Sequence, residues 1–453
     1  MEQIIARQRT FFNTQATKDL KFRITQLEKL ERILKNNIPA LDDAIFKDFK
    51  KSAFENYLTE LALLFHDIKD AKNNLRRWSR KRKVSTNITN FPASSYIIPE
   101  PLGVCLVMGA WNYPYQLSFA PVIAAIAAGN TVVLKPSELP SNTSAIIAKL
   151  VNENFDPKVF KVVEGGIPET TELLEQKFDK IFFTGSTKVG TIVYKAAAKY
   201  LTPVTLELGG KSPAFILKDA NLKMAAKRLI WAKYLNAGQT CIAPDYVLVD
   251  NNVASKFLEY CKAEILKADY SFDNGNFLQI INDSNFDRLT RMLDISKIYH
   301  GGKTDKADRY IEPTILNNVS FNDACMQEEI FGPILPIIVY DNLDDVFPKV
   351  RALSKPLSCY IFTSSSKTKK RLMNEFSFGG GAINDAVMHI SNPNLPFGGV
   401  GDSGIGNYHG EAGFKAFSHY KSILDKPTWL ELPLKYSPYS KGKLSLLKRL
   451  MNF

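Results

Sequence analysis

Cysteine is scarce: Cys105, Cys241, Cys261, Cys325 and Cys359 are scattered through 453 residues with no Cys-x-x-Cys pair. An odd, dispersed set argues against a disulfide framework or a clustered zinc site, and points to free thiols in a reducing, cytoplasmic setting. Histidine is equally sparse. None of His66, His300, His389, His409 and His419 stands in a His-Glu-x-x-His array, so no metal is expected. Gly-x-Ser-x-Gly is missing too, which removes support for a serine hydrolase. Two Gly-Lys-Ser/Thr triplets begin at Gly210 and Gly302, but Thr205 and Lys297 stand where a P-loop needs its leading glycine. The longest strongly apolar stretches, 102–111 and 117–128, fall short of the roughly 18 residues of a spanning helix. No transmembrane segment is expected. The opening MEQIIARQRTFF carries charges around a single apolar pair and does not read as a secretory signal. With 25 Gly and 23 Pro in no fixed period, collagen-like and solenoid readings also fall away.

What is present is the material of a globular protein: 45% hydrophobic and 23% charged residues, with 29 Phe and 18 Tyr for a core. At about 150 residues per domain the length suggests two or three folding units. Lys and Arg outnumber Asp and Glu by 58 to 46, a net +12 that attracts anions without choosing among cofactors, nucleic acid and lipid. The densest basic run, Arg76 to Lys83, reads as a solvated helix end complementing the helix dipole. No aromatic-interleaved module accompanies it, so no nucleic-acid partner is expected.

Residues 1–75 show helical periodicity, with Leu20, Ile24, Leu27, Leu30 and Leu34, then Leu58, Leu61, Leu64 and Phe65, at three- and four-residue steps. Ser, Thr, Asn and Pro then accumulate up to Pro101, marking a boundary or an excursion. From Leu102 short apolar runs alternate with helical stretches: LGVCLVMG and a helix through Ala120 to Ala128, TVVLKP and a helix from Ser141 to Glu153, VFKVVEGG, then KIFFTG and a helix from Lys188. A second series, opening with PAFIL and YVLV, fills about 211–396. Such alternation predicts an α/β protein with parallel sheets, ligands lying at the carboxyl ends of the strands.

Three positions draw attention as chemistry. Cys241 sits in Asn-Ala-Gly-Gln-Thr-Cys-Ile-Ala-Pro, a loop shaped by Gly238 and Pro244. A thiol of ordinary pKa, about 8.5, needs local donors or positive charge to act as a nucleophile. Asn112, just past a strand end in Gly-Ala-Trp-Asn-Tyr-Pro, offers an amide, although alone it reads as a turn former. Glu207 ends another apolar strand before Leu-Gly-Gly, where a lone carboxylate is more often a loop-capping or salt-bridging group. Together they supply a thiol, an oxyanion donor and a base, the parts of acyl chemistry. In KIFFTGSTKVG, Gly185 and Gly190 open a helix whose N–H groups can face a phosphate. Thr187 breaks the dinucleotide fingerprint, so a plain strand-to-helix turn remains open.

These segments are ordered as in a known family. Trp111-Asn112-Tyr113-Pro114, Leu134-Lys135-Pro136-Ser137-Glu138, Phe183-Thr184-Gly185-Ser186-Thr187, Leu206-Glu207-Leu208-Gly209-Gly210-Lys211, Gly238-Gln239-Thr240-Cys241, Glu328-Glu329-Ile330-Phe331-Gly332-Pro333 and Pro396-Phe397-Gly398-Gly399 resemble the motifs of the aldehyde dehydrogenases. The short N-terminus, Asn407-Tyr408-His409-Gly410 and the tail after it resemble the class 3 branch of fatty and aromatic aldehyde enzymes. The resemblance implies a Rossmann-like NAD(P)-binding domain over 1–79 and 98–207 and an α/β catalytic domain over 208–410. It also implies a small β bridging element over 80–97 and 411–430 that pairs subunits into a homodimer, with a basic tail over 431–453. By the same resemblance Cys241 is the nucleophile, Asn112 the oxyanion donor and Glu207 the general base. Lys135 and Glu138 meet the adenosine ribose, Gly185 and Ser186 the pyrophosphate, Glu329 the nicotinamide ribose and Phe331 the nicotinamide side.

The activity so implied is oxidation of medium- or long-chain aliphatic or aromatic aldehydes to acids through a thiohemiacetal and a thioester. NAD is the expected cofactor, because Glu138 repels a 2′-phosphate, with NADP also accepted. Rival readings are a CoA-acylating dehydrogenase, a cysteine esterase and a non-catalytic binding protein that kept the fold. Residues 387–395 and Tyr115 are expected at the substrate entrance. In the tail, Leu444, Leu447, Leu450 and Met451 line one helix face, which reads as packing on the body or a partner subunit, with a membrane surface as the alternative.

Overall fold

The computed structural model describes residues 1–271 and 273–451. It divides into a large unit, Met1–Trp78 with Pro101–His419, and a small one, Ser79–Glu100 with Tyr420–Phe453. Residues 452 and 453 of the tail lie outside the described residues.

The large unit opens with helices, as the leucine spacing predicts. In Leu20–Asn36 the Asp19 side chain accepts from the N–H groups of Lys21 and Phe22, and Leu27, Leu30, Ile33 and Leu34 are buried on one face. Ile38–Phe49 and Ala62–Trp78 follow, the latter burying Leu64, Ile68, Ala71 and Leu75 at the same period. A π-helical turn over Tyr57–Leu61 precedes it and carries the buried Glu60.

Two sheets then form the body. From edge to edge the first runs Gly404–Ile405, Val204–Glu207, Lys180–Thr184, Val104–Met108, Thr131–Lys135 and Phe160–Val162. All pairings are parallel except that of Gly404–Ile405 with Val204–Glu207. Every residue of Val104–Met108, Thr131–Lys135 and Lys180–Thr184 is buried, the pattern of strands covered on both faces. The chain runs outward from Val104–Met108 to Phe160–Val162, then returns to place Lys180–Thr184 on the other side of Val104–Met108. That reversal opens a crevice at the strands' carboxyl ends. Asn112 follows one of these strands and Gly185 the other.

The second sheet runs Ile298–His300, Thr314–Leu316, Ile334–Tyr340, Tyr246–Asp250, Pro213–Ile216, Ser358–Phe362 and Gly380–Ile383. Only Ile298–His300 is antiparallel to its neighbour.

The small unit holds a three-stranded sheet of Arg82–Val84, Ser94–Pro101 and Ser418–Asp425, with Arg82 opposite Ile97. The structure corrects the expected bridging segment 411–430 at its start. Gly410–Ala416 is a helix of the large unit that packs on Ala62–Trp78 and Pro114–Ala128, because Gly413 and Phe414 face inward. The basic run also differs from a single helix end: Arg76 and Arg77 close a helix, while Arg82 and Lys83 lie in a strand. In the tail helix Lys441–Met451 no described residue is buried, and Leu444, Leu450 and Met451 are more than half exposed.

Candidate active site

The cysteine loop grows out of helix Leu222–Tyr234, which Asn221 caps through its side chain. The helix ends in a turn at Leu235–Gly238 where Asn236 (φ 55°), Ala237 (φ 50°) and Gly238 (φ 74°) are all left-handed. Only glycine fits the last of these, since a β-carbon on Gly238 would strike the Gly332 carbonyl. Left-handed backbone at a non-glycine residue costs about 1–2 kcal/mol, so the surroundings must hold it. They do so through buried hydrogen bonds. The Asn236 N–H donates to a Glu55 carboxylate oxygen at 2.6 Å, and its side-chain Nδ2 donates to the carbonyls of Asn112 and Gln239 at 3.0 Å. Gln239, fully buried, donates to the carbonyls of Asn236 and Gln279 and accepts from the Ile281 N–H.

Asn112 is buried, and its Nδ2 donates to the Gln239 carbonyl at 3.0 Å. An amide nitrogen has two hydrogens, so one stays free for a ligand oxygen. Next to it, the Tyr113 hydroxyl pairs with Thr240 Oγ at 2.6 Å, tying the Asn112 loop to the residue before Cys241. Both loops are anchored from the N-terminal layer. Lys51 and Glu60 form a fully buried ion pair at 2.7 Å, and the other Glu60 oxygen accepts from the N–H groups of Tyr115 (2.8 Å) and Gln116 (3.2 Å) at the start of helix Pro114–Ala128. Tyr115 itself corrects the sequence expectation of an entrance residue. It is fully buried, with its hydroxyl donating to the Leu41 carbonyl at 2.7 Å, because it belongs to the helix's core face.

Of the five cysteines only Cys241 is half-buried; the others are buried. Burial, then the charges of Glu329 and Glu207, push its thiol well above the usual value, against the pull of the backbone N–H groups of Cys241 and Ile242. Glu207 ends its strand buried, neither carboxylate oxygen has a hydrogen-bond partner among the described residues, and burial holds its carboxyl far above the usual range. A desolvated carboxyl with open oxygens next to a thiol is suited to proton exchange.

Glu329 and Phe331 sit on a loop that three residues clamp. Lys211 Nζ pairs with Asp245 and donates to the carbonyls of Cys325 (2.9 Å) and Glu328 (2.8 Å), Asp245 accepts from the Ile330 N–H at 2.8 Å, and Arg288 donates to the carbonyls of Glu329 (3.1 Å) and Ile330 (2.7 Å). Burial, then the charge of Asp245, pushes the Glu329 carboxyl up to about 8, opposed by the Gly210 N–H, Lys211 and Arg288. Gly209 makes room for it, since a β-carbon there would collide with the Glu329 carboxylate. Phe331 (φ 50°) presents its ring edge-on to Trp111, centroids 5.3 Å apart.

Lys135 ends one strand of the first sheet and Gly185 follows another, with Val104–Met108 between them, and the Gly185 N–H donates to the Glu207 carbonyl at 3.0 Å. Ser186 caps helix Thr187–Ala198, its Oγ accepting from the Val189 N–H, and residues 186–189 are exposed. Exposed first-turn N–H groups and the positive helix end suit a diphosphate. Lys135 Nζ meets the half-exposed Glu138 carboxylate at 2.8 Å. Burial pushes the Glu138 carboxyl up, but the Lys135 hydrogen bond and charge more than offset this, leaving it below the usual value and ionised. An anion-binding helix start flanked by Lys135 with Glu138 and by Glu329 fits a dinucleotide. No cluster able to hold a metal ion exists among the described residues.

Sequence reasoning missed the supports. Asn236 and Gln239 lay within the quoted cysteine loop, and their polar type in a tight turn was a signal. Lys211, Asp245, Arg288, Glu55 and Glu60 carried none beyond ordinary charge.

The chain is similar to known proteins over nearly its whole length. Residues 1–423 match the model of the aldehyde dehydrogenase family. The chain is 45% identical to the 4,4'-diaponeurosporen-aldehyde dehydrogenase of Staphylococcus aureus over 453 residues, 99% of this chain and 98% of that protein. It is 44% identical over 424 residues to the dimeric NADP-preferring aldehyde dehydrogenase of Mus musculus, 93% of each chain. The fold superposes on the substrate-bound state of Staphylococcus aureus AldH with a TM-score of 0.96 at 44% identity, covering 99% of both chains. The chain belongs to the aldehyde dehydrogenase family, whose members oxidise aldehydes with NAD or NADP.

Proposed function

We propose that the protein converts aldehydes to carboxylic acids through a covalent thioester on Cys241 that is hydrolysed with the help of Glu207. What supports the reading is the meeting of a half-buried thiol, an Asn112 amide with one N–H to spare, and a buried carboxyl whose oxygens have no partner among the described residues. Cys241 adds to the aldehyde carbon, its proton passing to a base, and the resulting oxyanion receives the free Asn112 N–H and the Cys241 backbone N–H. Loss of one such donor typically removes about 2.7–4 kcal/mol of transition-state stabilisation. NAD(P), when bound, would supply the hydride acceptor; Glu329, Lys135, Glu138 and the helix start at Gly185 and Ser186 would hold it, with Phe331 beside its nicotinamide. Glu207 then takes a proton from water as the water's oxygen attacks the thioester, and the thiolate of Cys241 leaves.

The Lys135–Glu138 pair offers an acceptor to a ribose 2′-hydroxyl and a cation to a 2′-phosphate. We infer NAD as the preferred cofactor, with NADP accepted. Medium- or long-chain aliphatic and aromatic aldehydes are the proposed substrates, entering past the exposed Met388 and Leu395. A homodimer is the proposed assembly, in line with the dimeric mouse relative. The exposed apolar stripe of Lys441–Met451 is free to meet a partner subunit or a membrane surface. Five free cysteines suit a cytoplasmic setting; no helix among the described residues is long and apolar enough to cross a membrane.

The test is transient kinetics with and without CoA. Glu207→Gln should form NAD(P)H in the first turnover at the wild-type rate and then turn over ~10²–10⁴-fold more slowly, as expected for loss of a general base. Cys241→Ala should be inactive. CoA-dependent turnover of the wild type would instead identify an acylating enzyme.

A further inference from the structure

One turnover converts RCHO, NAD(P)+ and water to RCOO−, NAD(P)H and two protons, and the one taken from the hydrolytic water leaves from the buried Glu207 carboxyl. Tyr408 lies behind that carboxyl. It is fully buried, its ring edge-on to Phe182 (4.9 Å) and Phe397 (5.9 Å). Phe182 belongs to the strand that pairs with the one ending at Glu207, and Gly404, four residues before Tyr408, sits opposite Glu207 itself. The Tyr408 hydroxyl lies within reach of Nε2 of the neighbouring buried Gln116, which acts on it as a donor, and neither atom makes another hydrogen bond among the described residues.

Tyr408 also lines a cavity of about 20 Å³, together with Asp67, Trp78 and His409. A volume above roughly 10–15 Å³ on this measure holds one water when two to four polar groups surround it. Here the groups are present and uncommitted: Trp78 Nε1 and His409 Nε2, both buried, have no partner among the described residues. His409 bonds the Ile390 carbonyl through its other ring nitrogen, and burial lowers it to about 4, so it is neutral and its Nε2 accepts. Trp78 can only donate, and Tyr408 can do both. Asp67, on helix Ala62–Trp78, is half-buried and so reaches the boundary with solvent.

We propose that Tyr408, one water held between Trp78 and His409, and Asp67 form a proton exit leading from Glu207 to solvent. The proposal rests on the hydrolytic role assigned to Glu207. After the water attack, the Glu207 carboxyl and the Tyr408 hydroxyl, not hydrogen-bonded to each other in this structure, come within bonding distance, and the carboxyl proton passes to the Tyr408 oxygen as the phenol's own proton moves to the cavity water, which hands one on to Asp67. Each group ends in its starting state once Asp67 releases the proton to solvent. Electrostatics agree: after burial the charges that act on the Tyr408 phenol are Glu207, Cys241 and then Asp67, opposed by a hydrogen bond from Gln116. Burial, with the neighbouring charge of Asp70, raises the Asp67 carboxyl to about 7, where it both takes up and releases protons near neutrality.

The experiment is stopped-flow mixing of the full-length enzyme with NAD and a medium-chain aldehyde in weak buffer, following NADH absorbance and a pH indicator together. Tyr408→Phe keeps the packed ring and Asp67→Asn keeps the shape. Both should give first-turnover NADH at the wild-type rate, while proton release and steady-state turnover slow by about 10-fold or more, the scale of a lost proton-transfer group. Asp67→Glu should restore both. Wild-type proton release and turnover in Tyr408→Phe and Asp67→Asn, with Glu207→Gln still slow, would overturn the exit. Slowed first-turnover NADH in Tyr408→Phe would also overturn it, because the residue would then act in acylation. Full turnover in Glu207→Gln would separately remove the hydrolytic reading beneath it.

Discussion

The Lys51–Glu60 pair offers a quantitative test of how the N-terminal layer holds the site. Both side chains are fully buried, and Glu60 serves Lys51 with one oxygen and the N–H groups of Tyr115 and Gln116 with the other. Glu60→Gln keeps the shape and one acceptor, but turns an amide NH2 towards the Lys51 ammonium and strands a buried charge. Breaking a buried pair in this way costs about 3–5 kcal/mol, a large share of the ~5–15 kcal/mol that stabilises a typical domain. Lys51→Met should cost less, about 1–3 kcal/mol, because the Glu60 carboxylate retains two N–H donors and the positive end of helix Pro114–Ala128. The double variant removes both charges and should recover more than half of the Glu60→Gln loss. Urea unfolding of the four proteins, followed by tryptophan fluorescence with equal slopes, gives the double-mutant cycle. A Glu60→Gln midpoint equivalent to less than about 1 kcal/mol of loss, within the range of ordinary surface changes, would refute the reasoning, as would strictly additive effects.

Other expectations concern turnover. Both Glu207 and Cys241 have carboxyl and thiol pKa values raised by burial, so their basic forms are scarce at neutral pH and grow as pH rises. Steady-state kcat should therefore climb from neutral into alkaline pH; a flat or falling profile measured with stable protein would contradict that. Gly209→Ala should push the Glu329 carboxylate aside and raise KM for the cofactor about 10-fold, the equivalent of the ~1–3 kcal/mol typical of overpacking, with little change in global stability. Isothermal titration with NAD would detect the loss, and wild-type affinity would show that Glu329 does not set it. Glu138→Gln should raise kcat/KM for NADP relative to NAD by freeing Lys135; an unchanged ratio in cofactor kinetics would exclude that discrimination.

The sequence made the architecture legible where local rules suffice. Fully apolar runs such as those at Val104–Met108 and Lys180–Thr184 became strands buried on both faces, and the leucine spacing of Leu20–Asn36 became a one-sided helix. The catalytic candidates were legible because Cys241, Asn112 and Glu207 each sit in a distinctive run at a strand or helix end. Their supports were not. Glu55 meets Asn236 across 181 positions, and Glu60 meets Tyr115 across 55, and nothing local marks either carboxylate as different from a surface charge. Tyr115 misled for the same reason: a tyrosine beside a substrate motif reads as an entrance residue until the helix places its hydroxyl on Leu41. The start of the expected bridging segment 411–430 escapes sequence reading because the inward turn of Phe414 depends on helices formed more than 280 positions earlier.

The antiparallel pairing of Gly404–Ile405 with Val204–Glu207 bears on how the enzyme is made. While the ribosome is still translating the second sheet, the strand that ends at Glu207 is the bare edge of a nearly finished first sheet, with hydrophobic neighbours and unsatisfied backbone groups. That edge closes only when residues 404–405 emerge, and Tyr408 and His409 arrive with them. Nascent chains therefore carry the Cys241 thiol well before the corner around Glu207 is enclosed, and they are the species that chaperones should engage and that premature termination should leave prone to aggregate.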